Sequence, residues 1–260
     1  MRFVDAGPDI PNELITAQER GETLFVCGAG VSCTVGLPRF GELVEKIYGR
    51  LGEGWEHHPA EREGMVKGGE LFGQYDRVLR CLERRLAASE SPRNRSMKAR
   101  IRTAVRNELA PPEGADLSNH LALLTLSRDS QGISRLLTTN FDTLFERAWL
   151  EEHGQLTTSH AGMALPRPMT SGFSGVLHLH GRLADGVVQT SETDLVLTSA
   201  EFGDAYLRSG WASRYVYDLA RTQTLVLVGY QANDPPMRYL LEALEADRRS
   251  LKGPLRLGQR

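Results

Sequence analysis

A chain of 260 residues with 40% hydrophobic and 25% charged residues has the ordinary make-up of a water-soluble globular protein. Its net charge of −2 argues against a general nucleic-acid coat, and three cysteines without a CxxC pair (Cys27, Cys33, Cys81) argue against a disulfide framework or a structural zinc ribbon. No apolar run approaches the roughly 20 residues of a membrane span, and MRFVDAGPDI lacks the apolar core of a secretion signal, so the cytoplasm is the expected compartment.

Pro11 opens a helical stretch that stops at Gly21. Thr23 to Cys27 reads as a short apolar strand, broken by Gly28-Ala29-Gly30. Phe40, Leu43, Val44, Ile47 and Leu51 then recur at helical spacing. Residues 52–117 are polar, mostly helical in pattern and without a convincing buried strand. They read as a helical insertion within one domain spanning 1–260, with a break at Pro111-Pro112-Glu113-Gly114. Ser118 is placed to cap a helix carrying Leu121, Leu124 and Leu126.

Strand character returns at Ile133 to Leu137, followed by Thr138-Thr139-Asn140, with Asp142 at the start of the next helix. Val176 to His180 is a further strand closed by Gly181, and Asp194 to Leu197 a short one. Ser199 is read as the cap of a helix, and another helix runs near Arg214 to Arg221. Thr224 to Val228 is almost purely apolar, which suits a central parallel strand buried on both faces. Gly229-Tyr230-Gln231 ends it, and Asp234-Pro235 begins a last helix. Strands alternating with helices predict an α/β fold, a Rossmann-like open parallel sheet flanked by helices, with ligands at the carboxyl ends of the strands. The conspicuous polar motifs all fall at such ends.

The Gly28 loop is not a dehydrogenase fingerprint. Gly28 and Gly30 fit G-x-G-x-x-G, but the third position is Cys33, and Gly36 and Pro38 interrupt an immediate helix. A P-loop fails as well, for want of Gly-Lys-Ser/Thr.

Gly28-Ala29-Gly30-Val31-Ser32 with Gly36-Leu37-Pro38-Arg39-Phe40 resembles the sirtuin signature. Thr139-Asn140-Phe141-Asp142 resembles its Asn-x-Asp motif, His180-Gly181 its catalytic His-Gly, and Gly229-Tyr230-Gln231 stands where the family has a Gly-x-Ser loop. Thr-Thr-Asn-Phe-Asp, with Gly-Tyr-x-x-x-Asp-Pro near the end, is most similar to the sirtuin-like domains of prokaryotic antiphage systems, which hydrolyse NAD alone or beside short Argonautes and other sensors. The departures are informative. The four zinc cysteines of sirtuin deacetylases are missing, because no cysteine follows Cys81. Gly41 follows Phe40 where the family often has Arg, Gln231 replaces the usual Ser, and Leu251 to Arg260 is a poor candidate for a further strand.

The resemblance implies NAD as substrate, no metal, and a reaction through an oxocarbenium-like transition state. His180 is then the base or orienting group at a ribose hydroxyl or the water. Asn140 positions water and ribose, and Asp142 accepts from the carboxamide. Gly28, Ala29 and Gly30 admit the diphosphate to the backbone N–H groups, and Ser32 bonds phosphate or ribose. Phe40 lids the nicotinamide pocket, with Thr139, Gly229, Tyr230 and Gln231 completing the site. Each has a plainer alternative: a core histidine at His180, helix caps at Asn140 and Asp142, a tight turn at Gly28, and a core aromatic at Phe40. His178 and His180 share one strand face, which is also a metal-hydrolase opening, with His120, His153 and His160 as the other conceivable ligands. No histidine follows His180, so His178 is read as structural.

Residues 77–106 hold ten basic residues, among them Arg77, Arg80, Arg84, Arg85, Arg93, Arg95, Lys98 and Arg106, against Glu83 and Glu90. The run is either a solvated helical face or a contact for nucleic acid or an acidic partner. The expected activity is NAD glycohydrolysis by a triggered toxic effector, working as a homo-oligomer or with a defence-system sensor such as a short Argonaute or an ATPase. NAD-dependent deacylation, ADP-ribosyl transfer and non-catalytic NAD or ADP-ribose sensing are the alternatives.

Overall fold

The computed structural model describes residues 9–65, 73–89, 97–184, 195–232 and 235–251, together with positions 2, 3, 5 and 7. Five parallel strands form one sheet: β1 Thr23–Cys27, β2 Arg135–Thr138, β3 Ser159–Ala161, β4 Gly175–His178 and β5 Thr224–Val228, in the order β3-β4-β2-β1-β5. The register aligns Cys27 with both Thr138 and Val228, and Thr138 with His178. The strand ends are therefore level, so the loops that follow them emerge side by side.

Eleven α-helices flank or extend the sheet among the described residues. On one face α10 (Trp211–Thr222) and α11 (Pro235–Leu251) cover Leu24, Val26, Leu137 and Leu177 through Val216, Leu219 and Met237. On the other, α7 (Ser118–Leu126) and α8 (Leu144–His153) bury Leu124 and Phe145 against Cys27, Leu136 and Val176. A third cluster joins α3 (Phe40–Leu51), α5 (Tyr75–Ser89) and α6 (Met97–Glu108), which bury Ile47, Leu79, Leu82 and Val105 together. Phe141, Leu183, Leu195 and Leu197 belong to that same cluster, so the helices share a core with the loops after β2 and β4. The remaining helices are α1 (Asn12–Glu19), α2 (Ala29–Ser32), α4 (Pro59–Met65) and α9 (Ser199–Gly203). No helix among the described residues is long and apolar enough to cross a membrane.

Several expectations need correction. Among the described residues β5 is an edge strand rather than a central one, and Leu227 is 43% exposed. An apolar run carries no information on how many neighbours a strand has. Leu195 to Leu197 are buried but form no strand, although Val196 N–H donates to His180 O (2.9 Å). Asp194, like Asp234, lies outside the described residues, as does the tail from Lys252 to Arg260. The cap of α9 is Thr198, one residue before Ser199, because the Glu201 carboxylate accepts the Thr198 N–H (2.9 Å) in a capping box. Ser118 is already helical, and Asp116 accepts its N–H (2.9 Å).

Candidate functional site

The loop after β1 and the loop after β5 meet where the strand order reverses, since the chain leaves β1 toward β2 but returns on its far side as β5. Crevices of this kind hold ligands in open α/β sheets. Here the two backbones touch. A Cβ on Gly30 would stand 2.8 Å from the Gly229 Cα, and one on Gly28 would stand 2.7 Å from the Tyr230 Cβ. Gly28 N–H donates to Val228 O (3.0 Å) and Gly30 N–H to Gly229 O (2.9 Å). Two of the three amides expected to face a diphosphate are thus used to close one loop on the other, and Ala29 is the residue between them.

Between β1 and β2 lies a buried polar cluster centred on Ser32 Oγ. Ser32 donates to Asp142 Oδ2 (2.9 Å) and accepts from Asn140 Nδ2 (3.0 Å), which also donates to Gly28 O (3.2 Å). His120 Nε2 stands 3.4 Å from the same oxygen. Burial drives the His120 pKa down to about 4, so its imidazole is neutral near pH 7, and with the Ser32 proton on Asp142 the His120 Nε2–H is the donor. His120 Nδ1 is buried without a hydrogen-bond partner. Asp142 Oδ1 accepts the Leu144 N–H (3.3 Å) at the start of α8, so the cap and the cluster share one carboxylate. Burial raises the Asp142 pKa against the opposing pull of the Ser32 and Leu144 bonds.

Beneath Asn140 runs a second network. His178 Nδ1 is 3.0 Å from Asn140 O and Nε2 is 2.8 Å from Glu146 Oε1. Both partners only accept, so both ring nitrogens donate and His178 is an imidazolium. Burial disfavours that charge, but the Glu146 carboxylate outweighs it and holds the His178 pKa above its ordinary value. Reciprocally, burial raises Glu146, yet His178 and the Ser159 hydroxyl bring its pKa below normal. Arg182 completes the group through the Ser159 hydroxyl. His178 is structural, as read: it braces the backbone that carries Asn140.

His178 and His180 do not share a strand face. β4 ends at His178 and the chain turns, with Gly181 at φ +83°. His180 instead faces Phe202 and Tyr206, and its Nε2 lies 2.7 Å from the Tyr206 hydroxyl. Phe40 begins α3 and meets the Tyr75 ring at 6.2 Å, packed against the helical cluster. Thr139 N–H is bonded to Cys27 O (3.0 Å); beyond β5, Tyr230 is half-buried and Gln231 exposed. Among the described residues no three His, Cys, Asp or Glu side chains are placed to hold a metal ion.

Sequence reasoning passed over Glu146, Tyr206 and the role of His120. Glu146 was detectable as an acid on the first turn of α8, one turn after Asp142. Tyr206 stands four residues after Phe202, at helical spacing. The basic run is also less free than its count implies. Arg85 binds Glu53 and Glu61, Arg80 binds Glu83, and Lys98 and Arg102 bind Glu201. Arg93 and Arg95 lie outside the described residues.

Residues 134–254 match the family model described as the SIR2-like domain. Over that stretch, just under half of its 260 residues, the chain is similar to the SIR2-like family. The matched stretch holds the Asn140, His180 and Gly229 loops, and β1 with its Gly28 loop completes the sheet at their side. The chain is also 45% identical over 251 residues to an uncharacterized protein, y4cA, of Sinorhizobium fredii. That alignment covers 95% of this chain but 20% of the relative, so the chain spans about a fifth of the length of the protein it matches.

Proposed function

We propose that this sirtuin-like domain is an NAD glycohydrolase, releasing nicotinamide and ADP-ribose, in an effector that depletes NAD during antiphage defence. The observation that carries the reading is the Asn140–Ser32–Asp142 cluster between the ends of β1 and β2, with His180 at the corresponding point beyond β4. Thr138 pairs with His178, so Asn140 and His180 each follow the paired position by two residues. These groups suit the chemistry. The nicotinamide–ribose bond breaks with its electron pair going to the ring nitrogen, which neutralises the pyridinium and needs no general acid. Water adds to the ribose carbon as positive charge develops there. Asn140 offers its Oδ1 as acceptor to water or ribose, its two N–H donors being held by Gly28 O and Ser32 Oγ, and His180 takes the proton released when water adds, later losing it to solvent. Asp142 and Ser32 position the Asn140 amide. The absence of cysteine after Cys81 leaves no zinc module to shape an acyl-lysine groove, which favours water over a protein acceptor.

The reading is tested by incubating the full-length protein with NAD, with and without an acyl-lysine peptide, and separating the products. Nicotinamide and ADP-ribose in equal amounts, independent of peptide, are expected. Release that requires the peptide would assign deacylation instead.

A further inference from the structure

The groups that would meet a substrate are largely buried. His180 is 5% exposed, Asn140 7%, Asp142 6% and Ser32 2%. Surface depressions of about 650 and 410 Å³, beside Arg39 and Lys46 and beside Pro111 and Arg147, are lined by none of these four.

The cover over His180 is a short segment, α9 and the π-helical turn Asp204–Arg208. Phe202 meets the imidazole edge-on at 5.1 Å and stacks with Tyr206. The Tyr206 hydroxyl holds His180 Nε2 at 2.7 Å, so a ribose hydroxyl or water seeking that nitrogen must displace it. π-helical turns satisfy i→i+5 bonds poorly over any length and recur where a segment has work to do at a site. Next to Phe202 stands Glu201, whose two oxygens have separate duties. Oε2 accepts the Thr198 N–H (2.9 Å) and caps α9. Oε1 takes Lys98 (2.6 Å) and Arg102 (3.0 Å) from α6. The cover is thereby tied to the helical cluster through Glu201, while Phe202, Ala205 and Tyr206 pack in the same core as Leu137 and Leu177 of the sheet.

We propose that Ser199–Arg208 is an inhibitory latch: Tyr206 occupies His180 Nε2, and the Glu201 bridge to Lys98 and Arg102 keeps it there until a movement of α6 releases it. The latch rests on His180 being the group that meets substrate. It assigns the basic run a role its charge alone did not reveal, since two of its cations pin the cover. It also links a triggering event on the helical cluster to the site, beside the core that the cluster shares with Phe141 and Leu183.

The test uses the full chain in three forms: wild type, Tyr206→Phe, and Lys98→Glu, which places a like charge on Glu201 from a side chain 49% exposed. The rate of His180 acylation by diethyl pyrocarbonate, read by mass spectrometry, is measured beside NAD hydrolysis. Loss of one hydrogen bond should raise His180 reactivity about tenfold in Tyr206→Phe, and loss of the exposed ion pair about two- to fivefold in Lys98→Glu. Basal hydrolysis should rise with it. Higher reactivity in both variants with no hydrolysis in any form would uphold the latch and overturn the NAD glycohydrolase reading. Unchanged reactivity in the Lys98→Glu form would overturn the latch even if Tyr206→Phe failed to fold. Hydrolysis falling in Tyr206→Phe without a gain in reactivity would also overturn it, making Tyr206 a residue that positions His180.

Discussion

Replacing Glu146 should reveal the brace under Asn140. Its Oε1 accepts from His178 (2.8 Å) and the Ser159 hydroxyl, and both Glu146 and His178 are fully buried. Glu146→Ala leaves a buried imidazolium and a hydroxyl without their acceptor. Breaking a buried pair from one side costs about 3–5 kcal/mol, which for a chain of this size lowers Tm by about 6–20 °C. Glu146→Gln keeps an acceptor oxygen and removes only the charge, so it should cost less and leave His178 neutral. The two variants also separate by pH. The lowered Glu146 pKa contributes stability present above its unfolded value near 4.5 and lost as pH falls through the lower folded value. The raised His178 pKa contributes stability present below its unfolded value near 6.5 and lost as pH rises through the higher folded value. The pair therefore stabilises most between about pH 4.5 and 6.5. Urea denaturation across pH 4–9 should show a maximum there in wild type that is flattened in Glu146→Gln. Equal pH profiles, or a loss below about 1 kcal/mol in Glu146→Ala, would refute the ion pair.

Gly30→Ala and Gly229→Ala probe the touching loops. The first places a Cβ 2.8 Å from the Gly229 Cα and should cost about 1–3 kcal/mol, less the roughly 1 kcal/mol helix preference of alanine. Gly229→Ala should cost more, because its φ is +60° and its Cβ would lie 2.6 Å from Val31 N; denaturant midpoints rank the two, and the reverse order would remove the close approach. Ser32→Ala withdraws a partner from Asp142, Asn140 and His120 at once. It should cost about 1–3 kcal/mol and raise the Asp142 pKa further, read by carboxyl NMR; an unchanged titration would show that Asp142 does not depend on Ser32.

What the sequence made legible follows a physical division. Local chemistry was readable: the apolar spacing from Phe40 to Leu51 predicted α3 to its observed bounds, and the polar motifs were placed at strand ends where they are found. Neighbour relations were not. Thr224 to Val228 has the composition of a central strand but among the described residues pairs on one side only, because partners are set by the path of the whole chain. Ser159–Ala161 was too short and polar to signal a strand, yet it pairs with β4 and brings the Ser159 hydroxyl to Glu146. The His178–His180 spacing holds in a strand, but the turn after His178 sends the two rings to different partners. The Gly28 loop was read as an open cradle because glycine removes bulk, and the space so made is filled by Gly229 and Tyr230.

The central claim is that Asn140 and His180 cut NAD. Nicotinamide release by the full-length protein should fall at least about a hundredfold in His180→Ala and in Asn140→Ala, the usual contribution of a positioned acid–base group, with thermal unfolding confirming that each variant is folded. Release unchanged in either folded variant would contradict the account.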